Sequence, residues 1–149
     1  MKPYKLNIKD LDLQIPKNKQ REAMKAAAEF LKVEVLDYIG EGKSPVSGFG
    51  KFPEYTKSYS AEKGSSLVNL ELTGELLDAL DVKVKGSSLE LNVYGSDEVQ
   101  GKAEGNNLGT YGNPKPIKGK ARRFIPVGDE TLKRDIIARL KELLSDYEE

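Results

Sequence analysis

The chain contains no cysteine and no histidine among its 149 residues. The absence of cysteine excludes disulfides, thiolate metal sites and thiol nucleophiles, and it is compatible with a reducing compartment. Without histidine, the chain also lacks the side chain that enzymes most often use as a general acid or base near neutral pH. These two absences favour a protein that works through contacts rather than through a reaction.

The chain also lacks a net charge, because 24 Lys and Arg residues balance 24 Asp and Glu residues. Its overall charge therefore predicts neither nucleic-acid binding nor membrane-surface binding, and any electrostatic role must be local. No apolar run approaches the length of a signal-peptide core or of a membrane span. We therefore expect a soluble protein that is not exported by a standard signal sequence.

Apolar residues are scarce for a globular chain. They make up 38% of the residues, whereas charged residues make up 32%, so part of the length must lie in exposed loops or on surfaces that a partner covers. The length fits a single domain, residues 1–149, that is large enough to bury a core. The low apolar share favours an oligomer over a free monomer.

The first 40 residues show two different apolar periods. Residues 1–16 are predicted to form an extended arm, because apolar and polar side chains alternate up to Pro16. Residues 18–39 follow a helical period instead, and Gly40 supplies a plausible end to the helix. The apolar stripe of this helix consists of Ala23, Ala27, Phe30, Leu31, Val35, Tyr38 and Ile39.

A long loop is predicted over residues 40–66, because glycine, proline and serine break any regular period there. Aromatic side chains in this loop, which suggest a docking surface, are Phe49, Phe52, Tyr55 and Tyr59. Residues 67–73 then predict a strand, and the hydroxyl of Thr73 is suited to cap a short helical turn that follows.

A β-hairpin is the clearest local feature of the sequence. Apolar residues alternate with polar ones on both sides of a Gly86-Ser87-Ser88 turn, a pattern typical of two antiparallel strands. The alternating apolar residues are Val82, Val84, Leu89, Leu91 and Val93.

The last third of the chain predicts a short helix over residues 97–105, capped by Ser96, and then a long loop over residues 105–121. A brief strand is predicted over residues 124–127, followed by a final helix that Asp129 caps. The apolar stripe of that helix is Leu132, Ile136, Leu140, Leu143 and Leu144. The predicted fold is therefore α+β, with a small antiparallel sheet and a helix at each end of the chain.

Two sequence patterns that suggest chemistry are not supported by their surroundings. Gly42-Lys43-Ser44 resembles the end of a phosphate-binding loop, but the glycine that the motif requires five positions earlier is Asp37. Carboxylates such as Glu71 and Glu75 have no histidine or metal-ligand spacing nearby, which favours a solvated surface over an acid and base pair. No catalytic residue, cofactor site or metal site is predicted.

One concentrated positive patch lies in the loop before the last strand, and its cations are Lys115, Lys118, Lys120, Arg122 and Arg123. Two interpretations stay open. The cations could follow a nucleic-acid backbone, since glycine and proline permit close approach. They could also form a solvated loop or pair with carboxylates of a neighbouring subunit, and the pattern favours this second interpretation.

The order of these segments resembles the tail-completion, or neck, proteins of tailed bacteriophages, the family that joins head to tail. The similarity covers most of the chain from Lys17 onward and depends on the order of the segments more than on any one motif. After the first helix, those segments are GKSP (42–45), Tyr55 and Tyr59, VNLELTGELLDAL (68–80), the hairpin, EGNNLGTYG (104–112) and RRFIP (122–126).

The resemblance implies a non-enzymatic virion protein that assembles in the host cytoplasm as a homo-oligomeric ring of six or twelve subunits. Such a ring would lie at the neck, between the portal or adaptor of the head and the tail, and genomic DNA would pass through its channel. Closed head-to-tail packing suits a ring of this kind. A tail-terminator ring of the same virion is one alternative, which shares this architecture. The other is a small nucleic-acid-binding module that uses the basic loop 115–123.

The implied ring gives the candidate residues their roles. Lys115, Lys118 and Lys120 are assigned to the DNA channel. Contacts between subunits are assigned to Phe49, Phe52, Tyr55, Tyr59, Tyr111, Arg122 and Arg123. The family's glycine-bearing loop often carries histidine where this chain has Asn106 or Asn107.

Overall fold

The computed structural model describes residues 1–53, 74–109 and 121–148. These residues form an α+β fold, as the sequence predicts, with a three-stranded antiparallel sheet and helices around it. In chain order the elements are β1 (Tyr4–Asn7), a 3-10 helix (Ile8–Leu11), α1 (Gln20–Gly40), α2 (Gly74–Ala79), β2 (Leu80–Lys85), β3 (Ser88–Val93), α3 (Asp97–Leu108) and α4 (Arg134–Ser145). No helix in these three ranges is long and apolar enough to cross a membrane.

The sheet has the order β1-β3-β2, so the predicted hairpin is confirmed and the N-terminal strand completes it. The hairpin turn places Gly86 at a φ of 59°, the left-handed value that the first central residue of a type II′ turn requires. Across the sheet, Lys5 and Lys83 both pair with Glu90 of the central strand. The pairing of β1 with β3 joins parts of the chain that lie more than 80 positions apart.

The core lies between the sheet and the helices α1 and α4. Helix α1 buries a stripe against the sheet, and Ile136, Leu140 and Leu144 of α4 are fully buried beside it. The first-helix stripe is confirmed at Ala23, Ala27, Leu31, Val35 and Ile39, whereas Phe30 and Tyr38 are only partly buried. Apolar side chains from every element join this single core.

The N-terminal segment differs from the predicted extended arm. Only Tyr4–Asn7 is a strand, because the Asn7 side chain accepts a hydrogen bond from the Lys9 N–H at 2.9 Å and begins the 3-10 helix. This turn brings Ile8 and Leu11, three positions apart, into the core together. The alternation that predicts a strand therefore continues past the point where the backbone turns.

Helix α3 is longer than the sequence predicts. It continues through Gly105 and both asparagines to Leu108, and Gly109 ends it with a φ of 77°. The loop that was predicted to begin at residue 105 therefore begins after the helix, at Gly109. Of that loop, residues 110–120 lie outside the described residues.

The brief strand predicted at residues 124–127 is wrong, because the backbone there is not paired with any strand of the sheet. The prediction that Asp129 caps the last helix is wrong as well, since α4 begins at Arg134 after the N-cap residue Lys133. Residues 131–133 are extended instead and pair with residues 45–47. The Ser47 N–H donates to the Thr131 carbonyl at 2.8 Å, and the Lys133 N–H donates to the Pro45 carbonyl at 2.9 Å.

The described part of the predicted loop 40–66 is folded against the core. The Ser44 N–H donates to the Gly50 carbonyl at 2.8 Å, and the Phe52 N–H donates to the Gly42 carbonyl at 2.9 Å. These bonds make residues 42–52 a compact turn whose buried side chains include Val46 and Phe52. The predicted strand 67–73 and its Thr73 cap lie outside the described residues.

Candidate functional site

Three segments that are distant in sequence meet at one place, which we call the junction. It consists of Ser44 and Phe49 from the compact turn, Asn107 from the end of α3, and Arg123 and Glu130 from the chain before α4. These segments include three of those that carry the resemblance, namely GKSP, EGNNLGTYG and RRFIP.

Asn107 is the centre of the junction and is completely buried. Its side-chain carbonyl accepts hydrogen bonds from the N–H groups of Phe124 at 2.9 Å and of Ile125 at 3.1 Å. Its side-chain amide donates to the Ile125 carbonyl at 2.9 Å. One side chain therefore replaces the pairing that a strand at residues 124–127 would have needed, since buried backbone groups require partners.

Arg123 joins the end of α3 to the following turn. Its Nη1 donates to the Asn107 carbonyl, and its Nε lies 2.9 Å from Oε1 of Glu130. Its guanidinium carbon also lies 5.0 Å from the centre of the Phe49 ring, within the range of a cation–π contact. The Arg123 side chain is only 13% exposed, so this ion pair is shielded from solvent more than a surface pair is.

Glu130 and Ser44 complete the junction. The Glu130 carboxylate also accepts a hydrogen bond from the Val127 N–H at 3.0 Å, which closes the turn between Arg123 and Glu130. The buried Ser44 hydroxyl donates to the Arg123 carbonyl and accepts from the Val46 N–H at 3.1 Å. Polar groups of the three segments are thus joined to one another by the bonds from Ser44, Asn107 and Arg123.

The junction also holds the end of α3 beside the segment that begins at residue 121. The Arg122 N–H donates to the Asn106 carbonyl at 2.8 Å. Asn106 itself donates only to the Lys102 carbonyl one helical turn earlier, at 2.9 Å. The Asn107 side chain therefore holds a separate segment, whereas the Asn106 side chain bonds only within its own helix.

A second polar network fastens α1 to α4. Arg139 donates from Nε and Nη2 to the two oxygens of Glu34 at 2.6 and 3.0 Å, and the Tyr38 hydroxyl donates to Asp135. This hydrogen bond from Tyr38 is the main reason that the pKa of the Asp135 carboxyl is lowered. Burial, followed by the same bond, raises the pKa of the Tyr38 hydroxyl.

Lys133 adjoins this network, with its ammonium group 5.1 Å from the centre of the Tyr38 ring. Desolvation by burial lowers the pKa of Lys133, and the nearby Lys43 acts in the same direction.

The junction and the network can hold the backbone in place. Within the described residues, hydrogen bonds and ion pairs of this kind are the only chemistry that they provide. No group of three or more Asp, Glu, His or Cys residues that could hold a metal ion occurs in residues 1–53, 74–109 and 121–148. Arg123 binds both the Asn107 carbonyl and the Glu130 carboxylate, so the junction is a set of contacts within one chain.

The candidate site residues differ in burial, in their partners and in whether they are among the described residues. Phe52 is 5% exposed and belongs to the core, so the prediction that it contacts another subunit is wrong. Arg123 was expected to reach a carboxylate of a neighbouring subunit, but its carboxylate partner is Glu130 of the same chain. Phe49 and Arg122 keep intermediate exposure. The remaining candidates lie outside the described residues: Tyr55, Tyr59, Tyr111, Lys115, Lys118 and Lys120.

Sequence reasoning missed Asn107, Glu130 and the role of Ser44. A signal existed for Asn107, because the glycine two positions later, Gly109, is typical of a helix end rather than of a loop centre. The spacing of Val127 and Glu130 also matches a turn in which a carboxylate returns to a backbone N–H three positions earlier. Nothing in the sequence indicates that these residues meet Ser44, which lies 79 positions before Arg123.

Comparison of the chain with protein-family models, with curated proteins and with solved structures finds no match to any of them.

Proposed function

We propose that this chain is a structural protein of a tailed-bacteriophage virion that forms a homo-oligomeric ring at the neck and joins the head to the tail. In this role it would contact the portal or adaptor on one side and a tail protein on the other. It would act by binding, without a cofactor. A tail-terminator ring of the same virion is the alternative within this class.

The observation that carries the proposal is the convergence of the resembling segments on the junction. GKSP, the end of α3 and RRFIP are short motifs that could each arise by chance, and they lie far apart in the sequence. In the fold they satisfy one another's buried polar groups, which is a reason for all three to occur together. This supports reading their order as a shared architecture rather than as coincidence.

The junction also suits a subunit that presents a loop to a partner. The segments on either side of residues 110–120 form a fixed base, because the Arg122 N–H donates to the Asn106 carbonyl. A fixed base reduces the loss of conformational entropy that opposes binding. In the proposed ring, this base would set where Lys115, Lys118 and Lys120 face.

Deleting the gene from the phage that carries it tests the proposal. Electron microscopy of the lysate should show DNA-filled heads and complete tails that are not joined, and the gene supplied in trans should restore joined virions. Tails of irregular length would assign the chain to the terminator instead. Normal infectious virions from the deletion would refute both virion roles.

The purified chain provides an independent test of ring formation. Light scattering after size-exclusion chromatography, alone and with the isolated head or tail, should give a mass of six or twelve subunits in the assembled state. A chain that stays monomeric and binds neither head nor tail under all conditions would contradict the proposed ring.

A further inference from the structure

An open groove runs between α1 and the hairpin, and its volume is about 980 Å³. Along α1 it is lined over about four helical turns, and on the other side it is lined by β2 and the hairpin turn. Cations dominate its rim: Lys9, Lys17, Arg21, Lys25 and Lys32. Within the described residues, the groove shares no lining residue with the junction.

The positive charge of the groove is largely unopposed. Its carboxylates are Glu29 and Asp81, and Asp81 is already engaged by Lys32 at 3.6 Å. The other four cations make no ion pair within the described residues, and they are exposed. In a chain with no net charge, this is a local concentration of positive charge.

The spacing of the cations suits an extended polyanion. Arg21 and Lys25 lie four residues apart in α1, which at the rise of an α-helix is about 6 Å, and Lys17 lies in the turn just before the helix. Consecutive phosphates of one DNA strand advance about 3.4 Å along the duplex axis, so the cations match roughly every second phosphate. A single small anion could contact only one or two of them.

The floor of the groove distinguishes between two kinds of polyanion. An acidic amphipathic helix would need apolar surface to bury, but Met24, Ala28 and Val82 are at most 8% exposed already. Only Val84, at 43% exposure, could gain from being covered. Recognition must therefore come mainly from charge, which favours a sugar-phosphate backbone over a protein partner.

We infer that this groove binds the phosphate backbone of duplex DNA without sequence preference. The choice of duplex DNA as the polyanion rests on the proposed function, because DNA passes the neck. The charge and shape of the groove do not depend on that function. One copy binds weakly, and a ring of copies strengthens the binding by presenting several grooves to one duplex.

Fluorescence anisotropy with a labelled 30-base-pair duplex tests this inference on the purified chain. Four phosphate contacts predict that the logarithm of affinity falls with the logarithm of salt at a slope of about −3 to −4. Between 50 and 200 mM salt, the affinity should fall by roughly 60- to 250-fold. The variant K17Q/R21Q/K25Q should lower the magnitude of the slope by about 3, since three contacts are removed.

Two matched variants separate the groove from general charge effects. K51Q/R134Q/K141Q removes three exposed cations elsewhere, so it should keep the slope of the natural chain. K17R/R21K/K25R keeps the groove charge and should also keep the slope. The inference is overturned if the control triple loses as much binding as the groove triple, or if the groove triple loses none.

Competition decides the identity of the polyanion. Unlabelled duplex should displace the labelled duplex far better than polyglutamate or single-stranded RNA at equal charge, and equal displacement by either would overturn the assignment to duplex DNA. Ring assembly of the groove triple is measured separately by light scattering and should be unchanged. A natural chain that joins heads to tails but does not bind duplex DNA would therefore refute the groove alone, whereas joined virions without the gene would refute only the neck role.

Discussion

At the scale of single residues, Asn107 makes more structural contacts than the sequence suggests. It is fully buried and makes three hydrogen bonds with its side chain to the backbone of Phe124 and Ile125. The neighbouring Asn106 is nearly as buried, but its side chain bonds only within its own helix. Two adjacent residues of the same type therefore provide a matched comparison.

We expect Asn107→Ala to lower the free energy of unfolding by about 3 kcal/mol or more, because it leaves two buried N–H groups and one carbonyl without a partner. Asn106→Ala should change it by less than about 1 kcal/mol, since alanine favours the helix and one local bond is lost. Urea denaturation followed by circular dichroism measures both. Equal losses for the two variants would show that the Asn107 amide does not hold the junction.

Tyr38 and Asp135 are coupled through one hydrogen bond, and the coupling has a pH dependence. The lowered pKa of Asp135 means that its contribution to stability is present above about pH 4 and is lost as the pH falls through its folded-state pKa. The raised pKa of Tyr38 means that its contribution is present below about pH 10 and is lost at higher pH. The bond therefore stabilises the fold most between these limits.

We expect Tyr38→Phe to cost less than about 1 kcal/mol at pH 7, because the pair is largely exposed and phenylalanine keeps the ring beside Lys133. The difference from the natural chain should shrink at pH 3 and at pH 11. Urea unfolding at the three pH values measures it. Tyr147→Phe, whose hydroxyl makes no hydrogen bond within the described residues, is the control, and a pH-independent difference for Tyr38→Phe would contradict the coupling.

At the scale of elements, the two long helices and the hairpin follow their apolar periods. The α4 stripe is confirmed at Ile136, Leu140 and Leu144, which are fully buried where α4 packs against α1. The predicted start of the helix is wrong by several residues, because residues 131–133 pair with the compact turn before the helix begins. Periodicity thus locates the buried face of a helix better than it locates the helix end.

We expect Leu140→Asp to unfold the domain, because a charged carboxylate in a fully buried position costs several kcal/mol, a large share of the stability of a domain. Ala138→Asp lies on the exposed face of the same helix and should cost about 1 kcal/mol or less. Far-UV circular dichroism and thermal melting compare the two. A folded Leu140→Asp variant with a normal melting temperature would show that the stripe is not core.

At the scale of the whole molecule, positive charge is distributed over two distinct regions. The groove between α1 and the hairpin is formed by described residues. Lys115, Lys118 and Lys120 are not among the described residues. Arg123, which the sequence groups with those lysines, is bound to Glu130 and so does not add to a free positive surface. The loop prediction therefore depends on the three lysines.

We expect Lys115, Lys118 and Lys120 changed together to serine to leave folding and assembly intact, because exposed surface charges contribute little to stability. Retention of DNA in virions that contain the variant should fall if these lysines line the channel. Melting temperature, ring mass and the DNA content of purified virions measure the three effects. A variant that no longer assembles would show that the lysines serve subunit contacts instead.

The sequence determined the features that depend on nearby residues. Helical and strand periods, a glycine at the hairpin turn and a serine cap on α3 act over a few positions, so the α+β class, the hairpin and the buried helix faces could be predicted. The resemblance to neck proteins also follows from the order of segments, and it stays a proposal. Local patterns were sufficient for these features because their energies are local.

Only the tertiary structure decided what the irregular segments do. The motifs at 42–45, 104–108 and 122–126 contain no period, and their polar groups become a junction only when segments up to 79 positions apart meet. The burial of Phe52 and the bonds from Asn107 to the backbone, where a strand was predicted, likewise depend on contacts between separate segments. Arg123 pairs with Glu130 at a separation of 7 positions, and no local period indicates that pair. A buried polar group must find a partner, but the sequence does not say which distant residue will provide it.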